Sequence, residues 1–128
     1  MDRPRRYAKS HEWARLEEDG TVTIGISAYG VEALTDLVFM QLPDVGVSVT
    51  AGESFGEIES VKAVSDLYAP ISGEVVAANA ELPGQLETLG SDPYGAGWII
   101  RIKPEDPGQL EGLLDQAAYD ALTGSQPH

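Results

Sequence analysis

Short apolar or alternating runs follow one another along most of the chain, and glycine or proline soon ends each of them. Alternation with a period of two predicts β-strands with one buried face, and the frequent turns leave little room for long helices. The runs are Thr21–Ile26, Leu37–Leu42, Gly46–Gly52, Phe55–Val61, Ser65–Ile71, Glu74–Ala78 and Trp98–Ile102. Many short strands at close intervals predict a mainly β fold, a small two-sheet sandwich or barrel.

A few helices are predicted around these strands. Ser27 is a good helix cap and precedes a short helical pattern at about Ala28–Thr35. Leucine and alanine recur at helical spacing over about Pro107–Thr123, which predicts helices at the C-terminus. The stretch Asn79–Tyr94 is rich in turn formers and is predicted to be loop with little regular structure.

The 128 residues suit one domain, with a β core at about 7–103 and a helical C-terminal extension at about 107–123. The formal net charge of −13 speaks against binding to nucleic acid or to an anionic membrane surface, because like charges repel. The charge suits docking on partners with basic patches, although solubility alone also explains it.

Side chains of this chain are not expected to supply thiol chemistry or to form a metal site. The chain has no cysteine, and only His11 and His128 supply imidazoles, so we expect no disulfide, thiol nucleophile or metal site.

No apolar run approaches the roughly 18 residues of a membrane span. No targeting peptide is visible, so we expect a cytoplasmic protein.

The segment Phe55–Ile71 predicts a β-hairpin with Lys62 in its short loop, Val61–Val64. Three carboxylates lie close to this lysine in sequence: Glu57, Glu59 and Asp66. An arbitrary exposed lysine is usually a solvated charge. Lysines are almost entirely protonated at neutral pH, and no second cation close in sequence favours the neutral amine that a Schiff-base enzyme needs. A lysine modified by another enzyme fits better.

The string Glu59–Asp66 closely resembles the lipoyl-attachment motif of the glycine cleavage system H proteins, which identifies Lys62 as the residue that carries lipoate in amide linkage. Further signatures of that family occur in order along nearly the whole chain. They are Ser10-His11-Glu12-Trp13, Gly25-Ile26-Ser27, Leu42-Pro43 with Gly46, Tyr68–Glu74, and Asp92-Pro93-Tyr94-Gly95 with Gly97-Trp98. The resemblance implies a barrel-sandwich hybrid of the lipoyl and biotinyl type.

The resemblance implies a monomeric, non-catalytic carrier with a swinging lipoyl arm. The arm would accept an aminomethyl group from the pyridoxal-phosphate enzyme glycine decarboxylase and present it to the tetrahydrofolate-dependent aminomethyltransferase. Dihydrolipoamide dehydrogenase would then reoxidise it, and lipoyl-attaching enzymes are further implied partners. A chain without thiols has to import dithiol chemistry on such a cofactor, and tethering raises the effective concentration of the cargo.

The resemblance also implies that the loaded arm folds into a surface cleft at Ser10, Glu12 and Asp66. Two carboxylates and a hydroxyl suit an ammonium group. Alternatively, Ser10 and Asp66 cap turns and Glu12 is a surface charge. His11 is expected to be a packed or hydrogen-bonded ring. The segment Leu86–Gly90 departs from the usual family sequence in a loop expected to border the cleft.

Four other classes of protein are alternatives, and the residues beside Lys62 disfavour two of them, the lipoyl domain of a 2-oxo acid dehydrogenase and the biotinyl domain. An H-like carrier that relays lipoyl groups to other lipoyl-dependent proteins is the nearest. A lipoyl domain of a 2-oxo acid dehydrogenase typically has Asp-Lys-Ala and a biotinyl domain Met-Lys-Met, where this chain has Val61-Lys62-Ala63. An acidic β-domain with a purely structural role is the last.

Overall fold

The computed structural model describes residues 5–34 and 36–123. These residues form nine strands and three short α-helices, with two 3₁₀ helices. The strands are β1 Arg6–Tyr7, β2 Glu12–Leu16, β3 Val22–Ile26, β4 Leu37–Gln41, β5 Ser48–Val49, β6 Ser54–Ser60, β7 Val64–Tyr68, β8 Gly73–Ala78 and β9 Ile100–Pro104. The α-helices are α1 Ala28–Leu34, α2 Glu87–Ser91 and α3 Gln116–Leu122.

The strands make two antiparallel sheets. The larger sheet has the order β1-β2-β3-β9-β8-β5 and the smaller one β4-β6-β7. Within the described part of the chain neither sheet closes into a barrel. The mainly β, two-sheet architecture with a short early helix and C-terminal helices is therefore confirmed.

The main core lies where both sheets contribute apolar side chains. Ile24 and Ile102 from the larger sheet and Ile58 from the smaller one are fully buried. Alternation places these residues on one face of their strands, as the period-two pattern predicts. Burying a side chain of this size stabilises the fold by about 2 kcal/mol. The cluster therefore holds the smaller sheet, which carries the hairpin, against the larger one.

A second, aromatic cluster covers part of the larger sheet. Tyr7, Trp13 and Tyr119 are its buried members. The Trp13 indole lies directly over Gly25, where a Cβ would come within 2.7 Å of the ring. Because Tyr119 belongs to α3, this cluster attaches the C-terminal helix to the first strands.

One sequence prediction about the connecting segments needs correction, and two others are confirmed. The stretch predicted as loop at Asn79–Tyr94 contains a 3₁₀ helix at Leu82–Gly84 and α2. The many turn formers favoured a loop prediction, but the apolar residues Leu82 and Leu89 are buried in the main core and order the segment. After Pro107 the chain forms the 3₁₀ helix Pro107–Gly112 and then α3. Helix α1 forms as predicted, and its predicted end at Thr35 lies outside the described residues.

Candidate functional site

The Lys62 hairpin forms as the alternation predicts. Strands β6 and β7 pair in antiparallel register, with Glu59 opposite Val64 and Glu57 opposite Asp66. Residues 61–63 form the tip, and Lys62 is exposed there. The side chain of Lys62 is therefore accessible to a partner from the end of the smaller sheet.

Ser60, for which the sequence predicted no role of its own, fixes the backbone of the tip. The backbone N–H groups of Lys62 and Ala63 donate to the Ser60 hydroxyl at 3.3 and 3.2 Å. The Ser60 N–H donates to the Ala63 carbonyl at 2.8 Å, and the Val61 N–H donates to the Asp36 carbonyl at 3.1 Å. Serine commonly accepts hydrogen bonds from the backbone N–H groups that follow it, so a serine directly before the loop was a sequence signal for this restraint. The result is a constrained tip that projects an unconstrained side chain.

Apolar and acidic side chains surround the tip on the outer face of the smaller sheet. Val61, Val64 and Phe39 are 68%, 59% and 47% exposed. Glu57 and Asp66 line a shallow groove of about 540 Å³ on the same sheet. A partner that reaches Lys62 therefore meets both apolar and negatively charged surface.

Glu12 is a buried carboxylate with both oxygens hydrogen-bonded. It is 1% exposed, so the interpretation as a surface charge is wrong. Ser10 Oγ donates to Oε1, and the backbone N–H of Tyr68 donates to Oε2 at 2.9 Å. No lysine or arginine of the described chain forms an ion pair with it. Burial raises the pKa of Glu12, and the hydrogen bonds oppose that shift only in part.

The structure brings Ser10 and Glu12 into direct contact, whereas no hydrogen bond in the described chain joins Asp66 to either of them. Asp66 is exposed on β7, and the only hydrogen bond of its side chain among the described residues is a long one of 3.5 Å from the hydroxyl of Tyr68. Tyr68 thus contacts Glu12 through its backbone and Asp66 through its side chain. At about 3.3 Å per strand residue, β7 covers about 13 Å from the tip end to Tyr68. One strand therefore connects the lysine tip, Asp66 and the Glu12 pair.

His11 lies between Ser10 and Glu12 and has a hydrogen-bonded ring, as predicted. Its Nδ1 atom is 2.8 Å from the hydroxyl of Tyr119 in α3. Its φ of 81° lies in the left-handed region, where few residues other than glycine occur. Burial lowers the pKa of His11 and raises that of Tyr119 to about 12. Tyr119 was not foreseen, because its partners are far away in sequence.

The unusual segment Leu86–Gly90 borders a cavity that Ser10 and Glu12 do not line. This cavity has a volume of about 350 Å³. Its lining residues are Val31, Asp36, Leu37, Leu86, Glu87 and Gly90. Through Asp36, whose carbonyl accepts from the Val61 N–H, the cavity adjoins the hairpin tip. The expectation that this segment borders the cleft at Ser10 stays a prediction.

Comparisons of the whole chain with known proteins agree with one another. The family model for the glycine cleavage H-protein matches residues 5–126. The glycine cleavage system H protein of Neisseria gonorrhoeae is 57% identical over 114 residues, 89% of this chain and 86% of that protein. The H protein of Chromobacterium violaceum is 55% identical over 120 residues, 94% of each chain. The crystal structure of an H protein from Mycobacterium marinum matches with a TM-score of 0.87 at 44% identity, over 97% of this chain and 99% of that one. In the described residues no helix is long and apolar enough to cross a membrane.

Proposed function

The chain belongs to the glycine cleavage H-protein family, and on that premise we propose that it is a lipoyl carrier whose arm is attached to Lys62. The observation that carries the proposal is the exposure of Lys62 at a tip whose backbone is held by Ser60 and the Asp36 carbonyl. An attaching enzyme has to take an amine into its own active site, which an exposed tip allows. A fixed backbone reduces the ordering cost of that docking.

Lipoate suits this chain chemically. When bound, the lipoyl group supplies the disulfide and dithiol pair that takes up and gives back an aminomethyl group. The chain itself has no cysteine, so its own residues do not duplicate that pair. The residues of this chain project the arm, receive its end and limit the access of water.

Ser10 and Glu12 are proposed to receive the amino end of the cargo. A buried carboxylate without a cationic partner is costly, and an ammonium group that reaches it offsets this cost. Ser10 Oγ already occupies Oε1, so the ammonium displaces that hydroxyl or shares the oxygen with it. Burial of Glu12 also keeps bulk water away from the bound end.

Asp66 is proposed to act earlier on the path of the arm. It is exposed and lies on β7, between the lysine tip and Tyr68, whose N–H contacts Glu12. A carboxylate there attracts a cationic cargo towards the buried site. Asp66 on β7 then acts before Ser10 and Glu12, which lie beside the far end of that strand, so the three residues do not act as one cluster.

The partners follow from membership of the glycine cleavage system. We propose that the carrier takes the aminomethyl group from glycine decarboxylase and delivers it to the aminomethyltransferase. Dihydrolipoamide dehydrogenase reoxidises the arm, and lipoyl-attaching enzymes load it. The exposed apolar and acidic surface around Lys62 supports docking on partners with apolar and basic surfaces.

A reconstituted system tests this function. The lipoylated chain is combined with glycine, tetrahydrofolate, NAD⁺ and the three enzymes, and glycine-dependent NADH formation is measured. Wild type and the control K103R, which changes a lysine outside the hairpin, should support turnover, whereas K62R should not. A lipoylated chain that supports no glycine-dependent turnover would contradict the proposal and favour a role in lipoyl relay.

A further inference from the structure

The turn at residues 10–12 is held from the far end of the chain by Tyr119. The Tyr119 hydroxyl lies 2.8 Å from His11 Nδ1 and 2.5 Å from Ser27 Oγ. The ring of Tyr119 is 4% exposed and stacks on Tyr7 with 4.2 Å between ring centroids. Ring packing therefore fixes the position of the hydroxyl independently of its two hydrogen bonds.

His11 needs such a restraint because its backbone is strained. Its φ of 81° is a conformation that L residues rarely adopt. Its N–H donates to the Ala8 carbonyl at 2.9 Å, and its carbonyl accepts from the Ser27 N–H at 2.8 Å. Ser10 and Glu12 directly flank this residue. A rotation of the His11 backbone would therefore move both members of the proposed cargo site.

The hydrogen bonds around Tyr119 have one direction that satisfies every group. Ser27 Oγ accepts from the Gly30 N–H at 3.2 Å at the start of α1. Ser27 is fully buried, so its own hydroxyl hydrogen needs an acceptor, which is the Tyr119 oxygen. The Tyr119 hydrogen then points to an unprotonated His11 Nδ1, in agreement with a pKa of His11 that burial lowers. The chain of bonds runs from α1 through α3 to the turn.

We propose that Tyr119 is a positioning residue for the cargo site: its hydroxyl holds His11, and with it the turn that presents Ser10 and Glu12. This inference rests on the proposed function of Glu12. It gives the C-terminal helix a role in retaining the cargo, although the hydrogen bonds of the Glu12 carboxylate in the described chain come from Ser10 and Tyr68 and not from α3. The Tyr119 hydroxyl acts through His11 and does not touch the cargo.

The test compares Y119F with Y7F in the full chain. Both changes remove one hydroxyl from the same stacked pair, but the Tyr7 hydroxyl donates to Gln116 and accepts from Arg5, and neither of these bonds in the described chain reaches the turn. Two quantities are measured. The first is hydrogen exchange of the Ser27 and His11 amides in the unmodified chain. The second is the rate at which the isolated, lipoylated and loaded carrier releases formaldehyde and ammonium by hydrolysis of its aminomethyl cargo.

In Y119F the exchange of the two amides and the release of cargo should be roughly three- to tenfold faster than in wild type, the effect expected from losing the hydrogen bond that holds His11. Y7F should match wild type in both measurements. The inference is wrong if Y119F matches wild type, or if Y7F changes both quantities as much. If wild type retains no cargo at all, the proposed function of Glu12 fails, and the amide exchange alone decides whether Tyr119 holds the turn.

Discussion

Glu12 in β2 accepts a hydrogen bond of 2.9 Å on Oε2 from the backbone N–H of Tyr68 at the end of β7. The two residues are 56 positions apart and belong to different sheets. A buried carboxylate therefore connects the sheet that carries the lysine hairpin to the larger sheet. The proposed cargo site thus also links the two sheets, which makes the charge of Glu12 relevant to both stability and function.

The stability of the fold should depend on the charge of Glu12. Burial raises the folded pKa of Glu12 above the ordinary 4.5. The neutral carboxyl therefore makes its full contribution to the free energy of unfolding below pH 4.5, and this contribution is lost as the pH rises through the folded pKa. E12Q keeps an acceptor for the Tyr68 N–H and carries no charge. The free energy of unfolding of wild type minus that of E12Q should therefore fall as the pH rises above 4.5, as measured by urea titrations.

The control for this experiment is E74Q, which removes an exposed carboxylate from β8. It should show a much smaller change of that difference with pH. A difference for E12Q that stays constant or rises with pH would contradict the assigned burial.

E12Q should also shorten the lifetime of the loaded carrier without affecting the attachment of lipoate. A charge-assisted hydrogen bond to the cargo ammonium is worth about 1.5–3 kcal/mol, so release should accelerate by roughly tenfold or more. The release of formaldehyde from the isolated loaded protein measures this rate. An unchanged lifetime, with E74Q as the reference, would remove Glu12 from the cargo site.

Ser60 is expected to determine how well Lys62 is presented. S60A removes the hydroxyl that accepts from the Lys62 and Ala63 N–H groups, at a cost of about 1 kcal/mol in stability. Hydrogen exchange of these two amides should rise, and lipoylation by an attaching enzyme should be slower. S54A, on the same strand at its other end, should behave as wild type. Equal lipoylation rates for the two variants would show that the tip needs no such restraint.

Docking on partner enzymes should weaken as salt rises, because the surface around Lys62 is acidic. The double variant E57Q/E59Q should reduce the salt dependence of the association rate with glycine decarboxylase. The control E81Q/E105Q changes the net charge equally at exposed positions elsewhere. If both pairs reduce the salt dependence equally, overall charge rather than the hairpin surface steers docking.

Local patterns predicted the hairpin because period-two alternation and a short loop are properties of neighbouring residues. They placed Lys62 at the tip and Ser27 as the cap of α1, and the structure agrees. The burial of Glu12 was not predictable in this way, because it depends on Tyr68 in the other sheet. The contact between His11 and Tyr119 spans 108 positions and gives no local signal. Helix α2 was missed because turn formers surround the one buried residue, Leu89, that anchors it.

Intact mass measurement with peptide mapping, after expression in a host that attaches lipoate, decides whether Lys62 carries the lipoyl arm. The chain should gain the mass of one lipoyl amide, the modified peptide should contain Lys62, and K62R should gain nothing while K9R and K103R are modified normally. A chain that stays unmodified while the attaching enzymes and lipoate are plentiful, or that carries the group on Lys9 or Lys103, would contradict the account.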